Sequence, residues 1–178
     1  EGLAEAGANV ALCSRKVENC QKAARDLEKL GVKTLAMACD VKSAAGIQSV
    51  VDKTLKEFGR LDILVNNSGV SWGGSVEDYP LEGWEKVMDT NITGPFLFSQ
   101  IAGRVMIRQK GGNIINIASV MGVIGMESDA ADAIAYSTSK GALITFTKDL
   151  AAKWAKYNIR VNAIAPGWFP TDMTEWVI

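Results

Sequence analysis

Asn113-Ile114-Ile115-Asn116-Ile117-Ala118-Ser119 is a short apolar run that ends on a hydroxyl, and Tyr136-Ser137-Thr138-Ser139-Lys140 follows near the start of a helical stretch reaching from about Asp132 to Tyr157. A second apolar run, Ile159-Arg160-Val161-Asn162-Ala163-Ile164-Ala165, comes next and is stopped by Pro166-Gly167. Runs this short, rich in β-branched residues and bounded by glycine, read as buried strands. Strand, long helix and strand in succession require a crossover, and hence parallel pairing.

The same alternation extends upstream. Glu1 to Gly7 reads as the end of a helix stopped by glycine, and Val10-Ala11-Leu12-Cys13 as a buried strand ending at Ser14-Arg15. From Lys16 to Leu30, the residues Val17, Cys20, Ala24, Leu27 and Leu30 recur at helical intervals before Gly31. Val32 to Ala38 alternates like a strand and leads through Cys39 into Asp40-Val41; Ile47, Val50, Val51, Leu55 and Phe58 mark a helix closed by Gly59. Leu61-Asp62-Ile63-Leu64-Val65 runs straight into Asn66-Asn67-Ser68-Gly69. A longer helical pattern through Trp84, Val87, Met88, Ile92, Phe96 and Leu97 reaches about Gln109, and Gly94-Pro95 should bend or break it. The expectation is an α/β fold with a mostly parallel sheet covered on both faces. In such sheets ligands bind beyond the carboxyl ends of the strands. Ser14-Arg15, Asp40-Val41, Asn66 to Gly69, Ser119 and Pro166-Gly167 all fall at that edge.

Composition narrows the function. The 178 residues are 48% hydrophobic, enough for the core of one domain, and no repeat or linker calls for a second. Nineteen basic against 20 acidic residues provide no field to attract nucleic acid or an anionic membrane. No run approaches the roughly eighteen apolar residues of a membrane span. Cys13, Cys20 and Cys39 have no metal-site spacing, and the chain has no histidine, so no metal centre is expected. Three reduced thiols suit a cytoplasmic protein.

Tyr136 and Lys140 are four residues apart, one helical turn on a shared face. An ammonium beside a phenol favours the phenolate and so suits it to general acid-base work. Ser119, brought to the same place, would hold a substrate carbonyl or hydroxyl. On spacing alone, a surface Tyr-Lys pair and a serine that caps a turn remain open.

Tyr136 to Lys140 with Ser119, Asn66-Asn67-Ser68-Gly69, Asn91, Ile159-Arg160-Val161-Asn162 and Pro166-Gly167 together resemble the short-chain dehydrogenases/reductases, over essentially the whole chain. The resemblance implies a Rossmann-like, doubly wound parallel sheet and hydride transfer between NAD(P)(H) and a secondary alcohol or ketone. By the same resemblance Tyr136 is the catalytic acid or base, Lys140 contacts the nicotinamide ribose, and Ser119 orients the substrate. Asn91 would hold, through its backbone, a water in a proton relay through the lysine. Asn66 would brace the central strands, and Asn67, Ser68 and Gly69 would line the cofactor, with Ser68 standing where the family has alanine.

On the adenine side the resemblance assigns Asp40 and Val41, and beyond the last strand Pro166, Gly167 and Thr171. Ser14 and Arg15 stand where a carboxylate would select NAD, so a guanidinium able to bind a 2'-phosphate favours NADP(H) over NAD(H). Trp168 and Phe169 are expected to line the substrate pocket. The interval from Ser119 to Tyr136 is longer than is usual in the family. Its extra segment, with Glu127, Asp129 and Asp132, should bulge at the mouth of the site and could select a polar substrate, and Asp132 is expected to cap the helix.

The family's glycine-rich turn and first strand should precede Glu1, and its substrate-binding helices and final strand should follow Ile178. The expectation is therefore one partial dinucleotide-binding domain, 1–178, of a longer polypeptide. Within the family the chain most resembles gluconate 5-dehydrogenase-like members, with 3-oxoacyl-carrier-protein reductases as the alternative. A nonenzymatic NADP-binding scaffold or sensor is the reading from another class. The resemblance also implies a small-molecule substrate and a homo-oligomer, usually a tetramer, built partly from helices at about 81–109 and 133–157.

Overall fold

The computed structural model describes residues 1–127 and 132–169, in two compact units, Glu1–Leu61 and Asp62–Ile178. In the first unit, helix α1 (Gly2–Glu5) is followed by Gly7 at φ +86, a left-handed position that glycine adopts without strain. Strand β1 (Val10–Ser14) leads into helix α2 (Val17–Glu28), strand β2 (Thr34–Ala38) and helix α3 (Ala44–Phe58). The strands pair in parallel, with Val10 opposite Thr34 and Ser14 opposite Ala38. Helix α2 buries Cys20, Ala24 and Leu27, the stripe expected from their spacing. The Ser43 hydroxyl accepts from the Gly46 N–H to start α3, and Gly59, at φ +78, ends it with a bond from its N–H to the Leu55 carbonyl. Strand β1 is half-buried along its whole length, not the fully buried strand expected, because among the described residues this sheet has two strands.

The second unit holds the parallel sheet β3 (Ile63–Asn66), β4 (Gly112–Ile117), β5 (Ile159–Ile164), with β4 in the middle. Helix α4 (Leu81–Met88), a π-helical turn (Asp89–Thr93) and helix α5 (Gly94–Gln109) connect β3 to β4, and helix α6 (Ile134–Trp154) connects β4 to β5. The central position of β4 is reflected in Ile114 and Asn116, both fully buried. A polar seam crosses this core. Asn66 Nδ2 donates to Asn116 Oδ1 at 2.8 Å and to Ser99 Oγ at 3.2 Å, and Asn116 Nδ2 donates to Thr147 Oγ1 at 2.8 Å. Each buried amide is thereby paired, as burial demands, and β3, β4, α5 and α6 are pinned in register.

The expected break at Gly94-Pro95 is present, and two other expectations are corrected. The break in the long helix lies just before Gly94-Pro95 and takes the form of the π turn, in which the Gly94 N–H reaches back to the Asp89 carbonyl. Pro95 has no N–H to give the Asn91 carbonyl its α-helical bond, so the regular ladder is interrupted there. Asp132 does not cap α6: the cap position is Ala133, without a side-chain bond, and the Ala133 carbonyl takes the first helical bond, from the Ser137 N–H. The Asp132 carbonyl instead accepts from the Gly74 N–H at 3.0 Å, which ties that residue to a loop. Strand β5 is buried only at Ile159 and Val161, since it lies at the edge of its sheet among the described residues.

Candidate active site

The Lys140 side chain is 4% exposed, and its Nζ donates to the Ile117 carbonyl at the end of β4 over 2.6 Å. It sits 5.4 Å from the centroid of the Tyr136 ring, the one-turn pairing that the sequence spacing demands. Burial pushes the lysine down to about 8 from its ordinary 10.5, because the charged form loses hydration. Tyr136 is half-buried and packs, with Met126, against Met121 and Ala133.

Ser119 lies two residues beyond β4, is 8% exposed, and opens a 3-10 turn, Val120–Gly122. Its Oγ accepts from the Met121 N–H at 3.2 Å. That bond uses one lone pair and leaves the hydroxyl proton to donate. Ser119 is thus a turn cap by geometry, and the bond holds its hydroxyl in place. The turn is bonded to the end of β5 by Val120 N–H to the Pro166 carbonyl at 3.0 Å, which sets Pro166-Gly167 beside Ser119.

Sequence reasoning missed the contact that joins this turn to the helix. A Cβ on Gly122 would stand 2.5 Å from the Lys140 carbonyl carbon and 2.6 Å from the Gly141 nitrogen. Only the absence of a side chain lets the Ser119 turn lie directly on the backbone of Lys140-Gly141. The residue pattern carried one signal, a glycine in each partner, but nothing local paired them.

Gly69 follows β3 and faces the lysine: a Cβ there would be 3.6 Å from Lys140 Nζ and 3.7 Å from Asn91 Oδ1. Asn91 is 1% exposed and clamps the next residue by two bonds, Val70 N–H to its Oδ1 at 2.9 Å and its Nδ2 to the Val70 carbonyl at 3.0 Å. Its second Nδ2 hydrogen goes to Ser139 Oγ at 2.9 Å. The side chain therefore bonds across the fold, not to its own helix. Asn67 and Ser68 are exposed at the same strand end.

In the first unit, Ser14 Oγ donates to the Lys16 carbonyl at 2.6 Å and accepts from Cys20 Sγ at 3.2 Å, so its proton is spent locally. Arg15 is exposed and makes no hydrogen bond or ion pair among the described residues. Asp40 Oδ1 accepts from the Lys42 N–H at 3.0 Å in a tight turn, and Val41 is half-buried. The three cysteines are unpaired, and burial, with the neighbouring thiols of Cys39 and Cys20, pushes Cys13 up to about 12. Among the described residues no group of side chains could hold a metal ion, and no helix is long and apolar enough to cross a membrane. Trp168 and Phe169 are exposed beyond β5; Asp129 and Thr171 lie outside the described residues.

The family model for short chain dehydrogenase matches residues 1–177. A rhamnolipids biosynthesis 3-oxoacyl-[acyl-carrier-protein] reductase of Pseudomonas aeruginosa is 40% identical, over 99% of this chain and 69% of its own length. A gluconate 5-dehydrogenase of Burkholderia cenocepacia, solved with NADP and tartrate, superposes with a TM-score of 0.90 at 32% identity, over 98% of this chain and 67% of that one. An NAD+-bound xylitol dehydrogenase superposes with a TM-score of 0.92 at 39% identity, over 98% of this chain and 66% of that one. The chain thus spans about two thirds of the length of these relatives, and other curated relatives are spanned over 57% and 54%. A parallel α/β fold of the Rossmann type, the matched family model and the Ser119, Tyr136 and Lys140 cluster lead to one conclusion: the chain belongs to the short-chain dehydrogenase family, a family of oxidoreductases.

Proposed function

We propose that the intact polypeptide interconverts a secondary alcohol and a ketone, with NADP(H) as the hydride partner. The observation that carries this reading is the buried Lys140 ammonium, anchored on the Ile117 carbonyl and set over the Tyr136 ring at the carboxyl end of β4. In this reading Tyr136 gives or takes the proton of the substrate oxygen, Lys140 holds its charge beside the phenol, and Ser119 donates its free O–H to the same oxygen. Asn91 holds the wall of the site and, through its backbone, a proton-relay water.

Gly69 lies beside Lys140 Nζ and Asn91, and a residue without a side chain supports close approach of a flat group to the backbone there. When bound, the nicotinamide cofactor supplies or accepts the hydride. In the second unit we assign it Asn67, Ser68, Gly69, Tyr136, Lys140, Pro166, Gly167 and Thr171. In the first unit the assigned contacts are Ser14, Arg15, Asp40 and Val41. The Arg15 guanidinium, without a partner among the described residues, supports NADP(H), whereas the Ser14 hydroxyl could serve only as an acceptor without breaking its bond to Lys16. Relatives bound to NADP and to NAD+ both exist, so Arg15 is the residue to test. Arg15→Ala should raise the KM for NADPH about tenfold or more, in line with loss of a charge-assisted bond, and leave that for NADH within twofold. Equal use of both cofactors by the unaltered protein would reject the assignment.

For the substrate we favour a sugar acid such as gluconate/5-ketogluconate, with Glu127 and Asp132 near the mouth and Trp168 and Phe169 in the pocket. A 3-oxoacyl thioester is the second reading, favoured by the exposed Val123 and Ile124 beyond the Ser119 turn, at 68% and 58%, and by the acyl-carrier-protein reductase at 40% identity. NADPH oxidation by the intact polypeptide with 5-ketogluconate and with acetoacetyl thioester separates the two. Turnover of neither, with NADPH still bound, would favour a nonenzymatic sensor.

A further inference from the structure

We infer that Ser139 is a positioning residue of this site, acting through Asn91 to hold the Gly69-Val70 backbone against Lys140; the inference rests on the proposed oxidoreductase reading. Ser139 is fully buried, at 0% exposure, in the first turns of α6. Its Oγ donates to the Tyr136 carbonyl at 2.7 Å and accepts from Asn91 Nδ2 at 2.9 Å. A helix-interior serine needs only the first of these bonds to satisfy its proton. The second couples two distant parts of the unit, α6 and the π turn.

From Asn91 the connection continues. Its carboxamide pairs with the Val70 peptide as one strand pairs with the next, donor to carbonyl and N–H to acceptor, at 3.0 and 2.9 Å. The residue before Val70 is Gly69, whose bare face lies toward Lys140 Nζ and Asn91 Oδ1. A continuous set of hydrogen bonds therefore runs from the Tyr136 backbone through Ser139 and Asn91 to the loop that flanks the lysine. All donors of the Asn91 carboxamide are used, and alanine at 139 would leave one buried N–H unpaired. The carboxamide would then turn to seek another acceptor and release Val70. The Ser139 hydroxyl bonds to the Tyr136 carbonyl and to Asn91, not to the phenol or the ammonium, so its effect should be on geometry alone.

A double-mutant cycle on the intact polypeptide tests this. Ser139→Ala should lower kcat by about tenfold or more, as misplacement of reacting groups does, with substrate KM within twofold. In an Asn91→Ala background the same change should cost less than about twofold, because the intermediary is already gone. A melting point lowered with kcat unchanged, or equal losses in both backgrounds, would overturn the inference and leave Ser139 a packing residue. Amide exchange at Val70 gives a readout independent of turnover. It should quicken in Ser139→Ala by about tenfold, and unchanged protection would refute the coupling. If the unaltered protein turns over no substrate, the proposed function fails, and the exchange result alone decides whether the Ser139-Asn91-Val70 coupling stands.

Discussion

Lys140 is an ammonium kept almost out of water by one carbonyl, that of Ile117, and one aromatic face, that of Tyr136. Its folded-state value of about 8 lies below the ordinary 10.5, so between those values the unfolded chain holds the extra proton. Unfolding free energy contributed by this group therefore rises with pH through that window, and the cost of burying the charge is fully present below about 8. Lys140→Met removes this titrating group. Urea unfolding at pH 7 and at pH 10.5 should show the unaltered protein gaining up to roughly 3 kcal/mol relative to the variant, and a pH-independent difference would contradict the burial of a charged lysine. The Tyr136-Lys140 pair was legible because helical spacing alone puts such residues on one face. The partners of Asn91 were not, since Val70 and Ser139 are 21 and 48 residues away in sequence and no local pattern joins them.

At the scale of elements, strands and helices could be read from periodicity, and their ends from Gly59 and Pro166-Gly167, because those signals act within a few residues. The start of α6 moved off Asp132 because that residue's carbonyl serves the Gly74 N–H, a bond between loops distant in sequence. The contact between the Ser119 turn and α6 was likewise hidden, although it brings the predicted serine to the predicted lysine. Gly122→Ala tests it. A methyl at 2.5 Å from the Lys140 backbone must push the turn away, since backbone cannot yield as a flexible side chain can. The expected cost is about 1–3 kcal/mol of stability, as for overpacking, together with a loss of turnover larger than the loss of substrate binding. Full activity with an unchanged melting point would mean that the turn need not rest on the helix.

For the whole molecule, the homo-oligomer expected from the sequence directs attention to α5 and α6. Phe96 of α5 is 45% exposed, yet its ring meets that of Phe146 of α6 edge-on at a 6.5 Å centroid distance. We propose that this exposed aromatic joins copies of the chain in a tetramer. Phe96→Asp should then lower the mass of the intact protein seen by light scattering, whereas an unchanged mass would remove this face from the interface.

The proposed proton transfer rests on the Tyr136 phenol. Hydride transfer by the intact polypeptide, followed in a single turnover from NADPH to whichever of 5-ketogluconate or acetoacetyl thioester the unaltered protein reduces, should slow by about 10²–10⁴-fold in Tyr136→Phe, with NADPH still bound. A Tyr136→Phe variant that reduces the substrate within a few-fold of the unaltered rate would contradict proton transfer by this phenol.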